Sequence, residues 1–354
     1  MTKSTAVVYH KDYLKHFPSD SCPDRMARLV ETLKLFISEG LLKSIEVRTP
    51  TPATEDDLLS VHTKKYVEEV KNLSLFGGGA LDADTEVKPK TFELAKLAAG
   101  GAKLAGEYVI RGMYKNSFAL VRPPGNHATK SAGMEFCYFN NSAVMIEYLK
   151  AKYNLQKILI LSWSAHAANG TMDIFYNDKS VLNISIHQDP HTIFPNTGFI
   201  DQIGEGEGEG YTVNIPVSEG TSDADYVYIL EKFVLPLAES FKPELIVISA
   251  GQDAHNDDVT SDICLTEAGY GAMTNLMKNA AEKLCSGKLV VVLEGGYEPA
   301  SLARSNLEIV NSLIGESNAQ VTGTQREETI ALVNELKEKF SKYHKLETNG
   351  SNLP

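Results

Sequence analysis

Residues Lys157–Tyr176 read KILILSWSAHAANGTMDIFY. The opening KILIL is too short and too uniformly apolar for a surface helix, and the small polar residues behind it form a loop. A run this apolar suits a strand covered on both faces, as in a parallel sheet. Four further runs share the character: Phe118–Arg122 (FALVR), Val181–Ile186 (VLNISI), Glu244–Ser249 (ELIVIS) and Lys288–Leu293 (KLVVVL). Helix-length segments separate several of them, namely Phe92–Ile110, Ser142–Tyr153, Tyr226–Ser240 and Glu267–Leu284. Such alternation predicts an α/β fold with a single parallel central sheet sandwiched by helices.

Outside this frame, Cys22–Phe36 reads as a helix opening with Pro23-Asp24, and Gly204–Gly210 (GEGEGEG) as a solvated surface loop. From about residue 316 the composition shifts to Glu, Lys, Thr and Asn. Thr324–Tyr343 is expected to form an amphipathic helix, and the last residues, ETNGSNLP, a disordered tail. No linker divides the body. The organisation expected is one domain over residues 1–315, followed by a polar helix and tail over 316–354.

The chain has 354 residues, 43% of them hydrophobic and 23% charged, as in an ordinary globular protein. A formal net charge of −12 argues against a nucleic-acid surface spread over the molecule, because phosphate contacts need Lys and Arg. It permits a cationic partner. The four cysteines form no CxxC pair, which fits a reducing compartment. No signal-like or membrane-length apolar run is present, so the expectation is a cytoplasmic protein without a membrane partner.

In open α/β sheets ligands bind beyond the carboxyl ends of the strands. The polar and glycine-rich segments fall there. FALVR runs into PPGNHATKSAGMEFCYFNN, KILIL into SWSAHAANGTMDIFY, ELIVIS into AGQDAHNDD, and KLVVVL into EGGYEP. Four separate loops therefore converge on one rim.

These loops, in this order, resemble the active-site loops of the histone deacetylase and acetylpolyamine amidohydrolase family. SIHQD (Ser185–Asp189), FPNTG (Phe194–Gly198), GYTVNIPVSEGTSDADY (Gly210–Tyr226), EDDLLSVHTKKYVEEV (Glu55–Val70) and LDADTEV (Leu81–Val87) extend the likeness from about Ala6 to Ile314. The resemblance implies an arginase–deacetylase type fold and hydrolysis of N-acetyl amides by a zinc-bound water. Its substrates would be a small acylated amine, a polyamine or an acetyl-lysine peptide. In that chemistry a histidine and two aspartates hold zinc, a histidine pair moves protons, and a tyrosine after Gly-Gly stabilises the oxyanion.

Carried over by position, His127 is the second histidine of the pair and Tyr297 the oxyanion tyrosine. His166 falls on the metal histidine and Asp253 on the second metal aspartate. The family's loop after the KILIL strand usually reads Asp-x-Asp-x-His-His-Gly, and here it reads Ser-Trp-Ser-Ala-His-Ala-Ala. Ser164 therefore stands where the first zinc aspartate would be. Ser162 stands where an aspartate helps hold a structural potassium, a shell that Ser185 would share. Asn126 replaces the first histidine of the pair. Glu135 stands at a glycine beside the substrate channel, next to Phe136, where it is expected to favour a cationic amine.

Two good donors, His166 and Asp253, predict a depleted zinc site, since a neutral hydroxyl is a poor zinc ligand. Three explanations stay open: a non-catalytic descendant that binds a ligand in the old channel, altered chemistry with weak metal or none, or an active enzyme whose site residues were substituted. A metal-free hydrolase with Ser164 as nucleophile and His127 as base also has the right residue types. His187 reads as structural and Cys137 as a packed thiol.

Overall fold

The structure, a computed structural model, describes residues 4–19 and 22–346; the tail expected to be disordered, 347–354, lies outside them. Eight strands form one sheet. They are β1 (Thr5–Val8), β2 (Glu46–Arg48), β3 (Asn116–Ala119), β4 (Ile158–Ser162), β5 (Val181–Gln188), β6 (Thr212–Val217), β7 (Leu245–Ala250) and β8 (Leu289–Leu293). Their order across the sheet is β2-β1-β3-β8-β7-β4-β5-β6, and every neighbouring pair is parallel. All five strands expected from apolar runs are present. The three missed are β1, the short half-exposed edge strand β2, and β6, whose TVNIPV carries an Asn and a Pro that dilute the pattern.

Parallel pairing explains the sequence signature. Helices cover the sheet, so β4, β7 and β8 are buried at every position and cannot alternate. Thr91–Ile110 packs on Asn141–Tyr153, while Ala27–Ser38 packs on Pro299–Ile314 and that helix on Glu267–Cys285. The register sets Ser162 at the end of β4 beside Ser185 on β5 and Ser249 on β7. With the central strands ending level, the loops after β3, β4, β7 and β8 leave one edge together. Among the described residues, no helix is long and apolar enough to cross a membrane.

The first long helix begins at Ala27, not at Cys22. Pro23 and Asp24 instead form a turn, with Arg25 N–H donating to Pro23 O, that feeds Asp24 into the interior. Asp24 accepts from Arg28 at 2.6 Å and Arg122 at 3.0 Å, and all three side chains are fully buried. The two guanidinium charges outweigh burial and hold the Asp24 carboxyl below the usual range. Sequence periodicity placed Asp24 at a helix start; the need to pair two buried arginines decides its position.

The C-terminal helix spans Glu327–Phe340, and Val333, Leu336 and Phe340 join the same hydrophobic core as the strands. Arg326 N–H and the Thr329 hydroxyl both donate to Asp225, which ties this helix to the segment after β6.

Candidate functional site

The four loops meet. Ser164 follows β4 by two residues, and its hydroxyl lies 2.9 Å from each carboxylate oxygen of Asp253 on the loop after β7. Ala165 N–H donates to Asp253 Oδ1 at 2.8 Å, and His166 Nδ1 lies 3.4 Å from Oδ2. All of these groups are buried. Burial opposes charge on both partners, but their mutual attraction, aided by the Ala165 and Ser164 bonds, wins: the His166 pKa is raised and that of Asp253 lowered. Each group thus favours the charged form of the other.

The His127 ring sits 6.2 Å from that of His166, centroid to centroid. Its Nδ1 lies 2.7 Å from Asn169 Oδ1, so that nitrogen carries the proton and Nε2 is left as an acceptor beside Asn126. Burial, reinforced by the His166 charge, pushes the His127 pKa down to about 4. A neutral imidazole that can take a proton is the consequence. A Cβ on Gly170 would overlap the backbone of His127 and Ala128, which is why the NGT segment carries a glycine there.

Tyr297 enters from the loop after β8. A Cβ on Gly295 would overlap Asp253 Oδ2 and come within 3.4 Å of the Tyr297 hydroxyl, so the absent side chain is what lets Tyr297 and Asp253 approach. Arg28 lies under the Tyr297 ring at 5.1 Å, and Phe136 packs edge-on against it at 5.7 Å. Burial keeps the Tyr297 phenol well above its ordinary pKa, hence protonated and a donor.

Glu135 reaches the same space but not in the expected state. Burial first, and the neighbouring Asp84 second, push its carboxyl up to about 8. At neutral pH it is therefore mostly a protonated acid, and the negative charge expected for drawing a cationic amine is largely absent. Glu135 and Phe136 also have φ of 49° and 64°, consecutive left-handed conformations that a glycine adopts without cost.

Ser162 and Ser185 stand behind this cluster. The Ser162 hydroxyl is buried with no hydrogen-bond partner, while Ser185 Oγ lies 2.9 Å from His187 Nδ1. At the zinc position the usual donor types are His166 and Asp253. Among the described residues, no group of three or more His, Cys, Asp or Glu side chains is placed to hold a metal ion. Catalytic zinc takes three protein donors, and here Ser164 has turned its hydroxyl onto Asp253. The serine nucleophile fares no better: its hydroxyl faces a carboxylate, while the His127 Nδ1 proton faces Asn169.

Several contributors were not singled out from sequence. Glu294 accepts from Gly125 and Asn126 N–H and from the Ser142 and Ser249 hydroxyls, fixing the loop that carries His127. Asp258 accepts from the Tyr297 and Glu298 N–H groups and fixes the tyrosine. Phe194 packs on His127 and His166 with centroids at 5.4 and 6.5 Å. Glu294, Asp258 and Phe194 all lay inside quoted motifs, yet only the fold reveals what they touch.

Comparison with known proteins gives a consistent picture. A family model described as the histone deacetylase domain matches residues 19–313. A probable deacetylase from Archaeoglobus fulgidus is 43% identical over 88% of this chain and 86% of its own. A histone deacetylase-like amidohydrolase from Pseudomonas aeruginosa is 37% identical, over 84% of this chain and 77% of its own. The polyamine deacetylase HDAC10 of Danio rerio is 35% identical over 85% of this chain, which spans 45% of that protein. The crystal structure of the HDA15 HD domain superposes with a TM-score of 0.90 at 34% identity, covering 96% of this chain and 97% of that one.

Proposed function

The chain belongs to the histone deacetylase family, and from that premise we propose that it binds an N-acylated amine, an acetyl-lysine peptide or acetylated polyamine, while holding zinc poorly and hydrolysing the amide slowly. The observation that carries this reading is the Ser164 hydroxyl on both oxygens of Asp253. It spends on hydrogen bonds the carboxylate that a metal would need. Relatives named as histone deacetylase-like and polyamine deacetylase support the substrate class.

Residual turnover would rest on this chain's own groups. Neutral His127, oriented by Asn169, can take a proton from water through Nε2. The protonated Tyr297, oriented by Asp258, can donate to the oxygen that gains charge at the acyl carbon. Neither group requires the missing aspartate.

The test is metal analysis of the purified protein alongside turnover of an acetyl-lysine peptide and an N-acetylated polyamine. The expected result is well under one zinc per chain, saturable ligand binding, and slow hydrolysis that disappears in His127→Ala. Stoichiometric zinc that survives a chelator, with fast turnover, defeats the proposal.

A further inference from the structure

The opposite end of the sheet carries a second concavity. A cavity of ≈ 850 Å³ opens beside the amino ends of β4 and β6, and Lys157, Lys232, Lys242, Lys337 and Lys345 all line it. Its carboxylates are Glu231 and Glu239, and Glu239 is already paired with Lys283 at 2.5 Å. The lysines come from separate segments: the residue before β4, a π turn at Leu230–Val234, the end of helix Leu235–Phe241, and the C-terminal helix with its following turn.

Many lysines elsewhere, though not all, are paired with acids. Lys103 pairs with Asp57 at 2.6 Å, Lys150 with Glu147 and Asp178 at 2.8 and 2.6 Å, and Lys71 with Glu55 at 2.6 Å. Among the described residues, Lys232, Lys242, Lys337 and Lys345 have no such partner. Lys157 donates to Phe241 O at 3.1 Å and lies over the Phe241 ring, so its charge is placed but not neutralised. Gathering unneutralised ammonium groups costs self-repulsion, and a chain of net charge −12 is not short of carboxylates to relieve it.

Helix C-termini favour cations, which accounts for Lys242 and Lys337. It does not account for Lys157, Lys232 or Lys345. Lys232 sits in the π turn, a rare distortion that is enriched at functional sites. The wall that brings Lys345 in is built rather than loose. His344, itself buried, donates through Nε2 to Gly210 O at 2.8 Å, and Lys345 N–H donates to Ser240 Oγ at 2.8 Å.

We propose that this cavity binds a small, multiply charged phosphate compound at a site separate from the acyl-amine pocket. Several flexible ammonium donors converging on a concavity of small-molecule size suit phosphate oxygens, which accept from any direction. The proposal does not depend on the catalytic competence of the other site.

Calorimetric titration with tripolyphosphate at low salt tests it, using the full chain. One saturable site per chain is expected, weakened by at least about tenfold in Lys232→Ala/Lys345→Ala and by raised salt, as screening requires. Lys64→Glu, a surface change on another helix, should leave binding unchanged. Lys242→Gln provides a second reading if the double variant folds poorly, and it too should weaken binding. No saturable binding, or equal weakening by Lys64→Glu, overturns the site. A single-stranded oligonucleotide that displaces tripolyphosphate and binds more tightly overturns the small-molecule assignment.

Discussion

Ser164 and Asp253, 89 positions apart in the chain, are joined by a hydroxyl 2.9 Å from both carboxylate oxygens. With Ala165 N–H and His166 completing the shell, the carboxylate is satisfied without a metal. A buried anion left unpaired is costly, so this arrangement stabilises the metal-free fold.

Ser164→Asp should reverse that balance. Two carboxylates would face each other in a buried site, and the metal-free variant should melt below the parent protein. Added zinc should raise its melting temperature and its bound metal, since ligand binding to the native state stabilises it. Thermal melts with and without chelator, with metal analysis, check both halves. A variant that melts like its parent and gains no zinc contradicts the ligand assignment.

The Asp24 network is expected to matter for folding. Asp24→Asn leaves the buried guanidinium groups of Arg28 and Arg122 without their counter-ion. Removing one partner of a buried pair costs about 3–5 kcal/mol. Urea unfolding should show a loss of this size, and a loss under about 1 kcal/mol, the scale of exposed pairs, would refute it.

His62 supplies a pH signature. Its Nδ1–H donates to Thr129 O at 2.9 Å, and Nε2 accepts Asn140 N–H at 3.0 Å, so the ring must stay neutral. Burial pulls its pKa from 6.5 down to about 4. Because the folded value lies below the unfolded one, stability from His62 is complete above pH 6.5 and is lost as pH falls toward 4. Between pH 7 and pH 5 the parent should lose ~2 kcal/mol more than His62→Gln does. Denaturant midpoints of both proteins at the two pH values measure it, and parallel losses would rule the effect out.

Glu135→Gly should raise stability. Glycine takes the left-handed conformation freely, and the change removes a half-buried carboxyl whose Oε2 has no hydrogen-bond partner. Left-handed strain for a residue with a Cβ is ~1–2 kcal/mol, against up to ~1 kcal/mol for the added freedom of the unfolded chain. A higher unfolding midpoint is expected; an unchanged or lower one means that the Glu135–Asp84 contact is itself stabilising.

How far the sequence reaches can be judged residue by residue. The runs KILIL, ELIVIS and KLVVVL announced buried parallel strands because such strands cannot alternate polar and apolar residues. The loops behind them were legible because their motifs, in order, resemble those of the histone deacetylase family. Edge strand β2 was not legible, since three half-exposed residues carry no pattern.

The sequence by itself determined five of the eight strands and the loops that leave them, because hydrophobic periodicity and local chain geometry act over neighbouring residues; the resemblance supplied the candidate side chains on those loops. Only the tertiary structure decided what those side chains do on arrival. Ser164 turns to Asp253, Glu135 keeps its proton beside Asp84, Asp24 leaves the helix to pair Arg28 and Arg122, and five lysines gather at the far end of the sheet. Each outcome is set by burial and by charges brought close from distant positions, because desolvation and Coulomb forces depend on separation in space rather than on spacing along the chain.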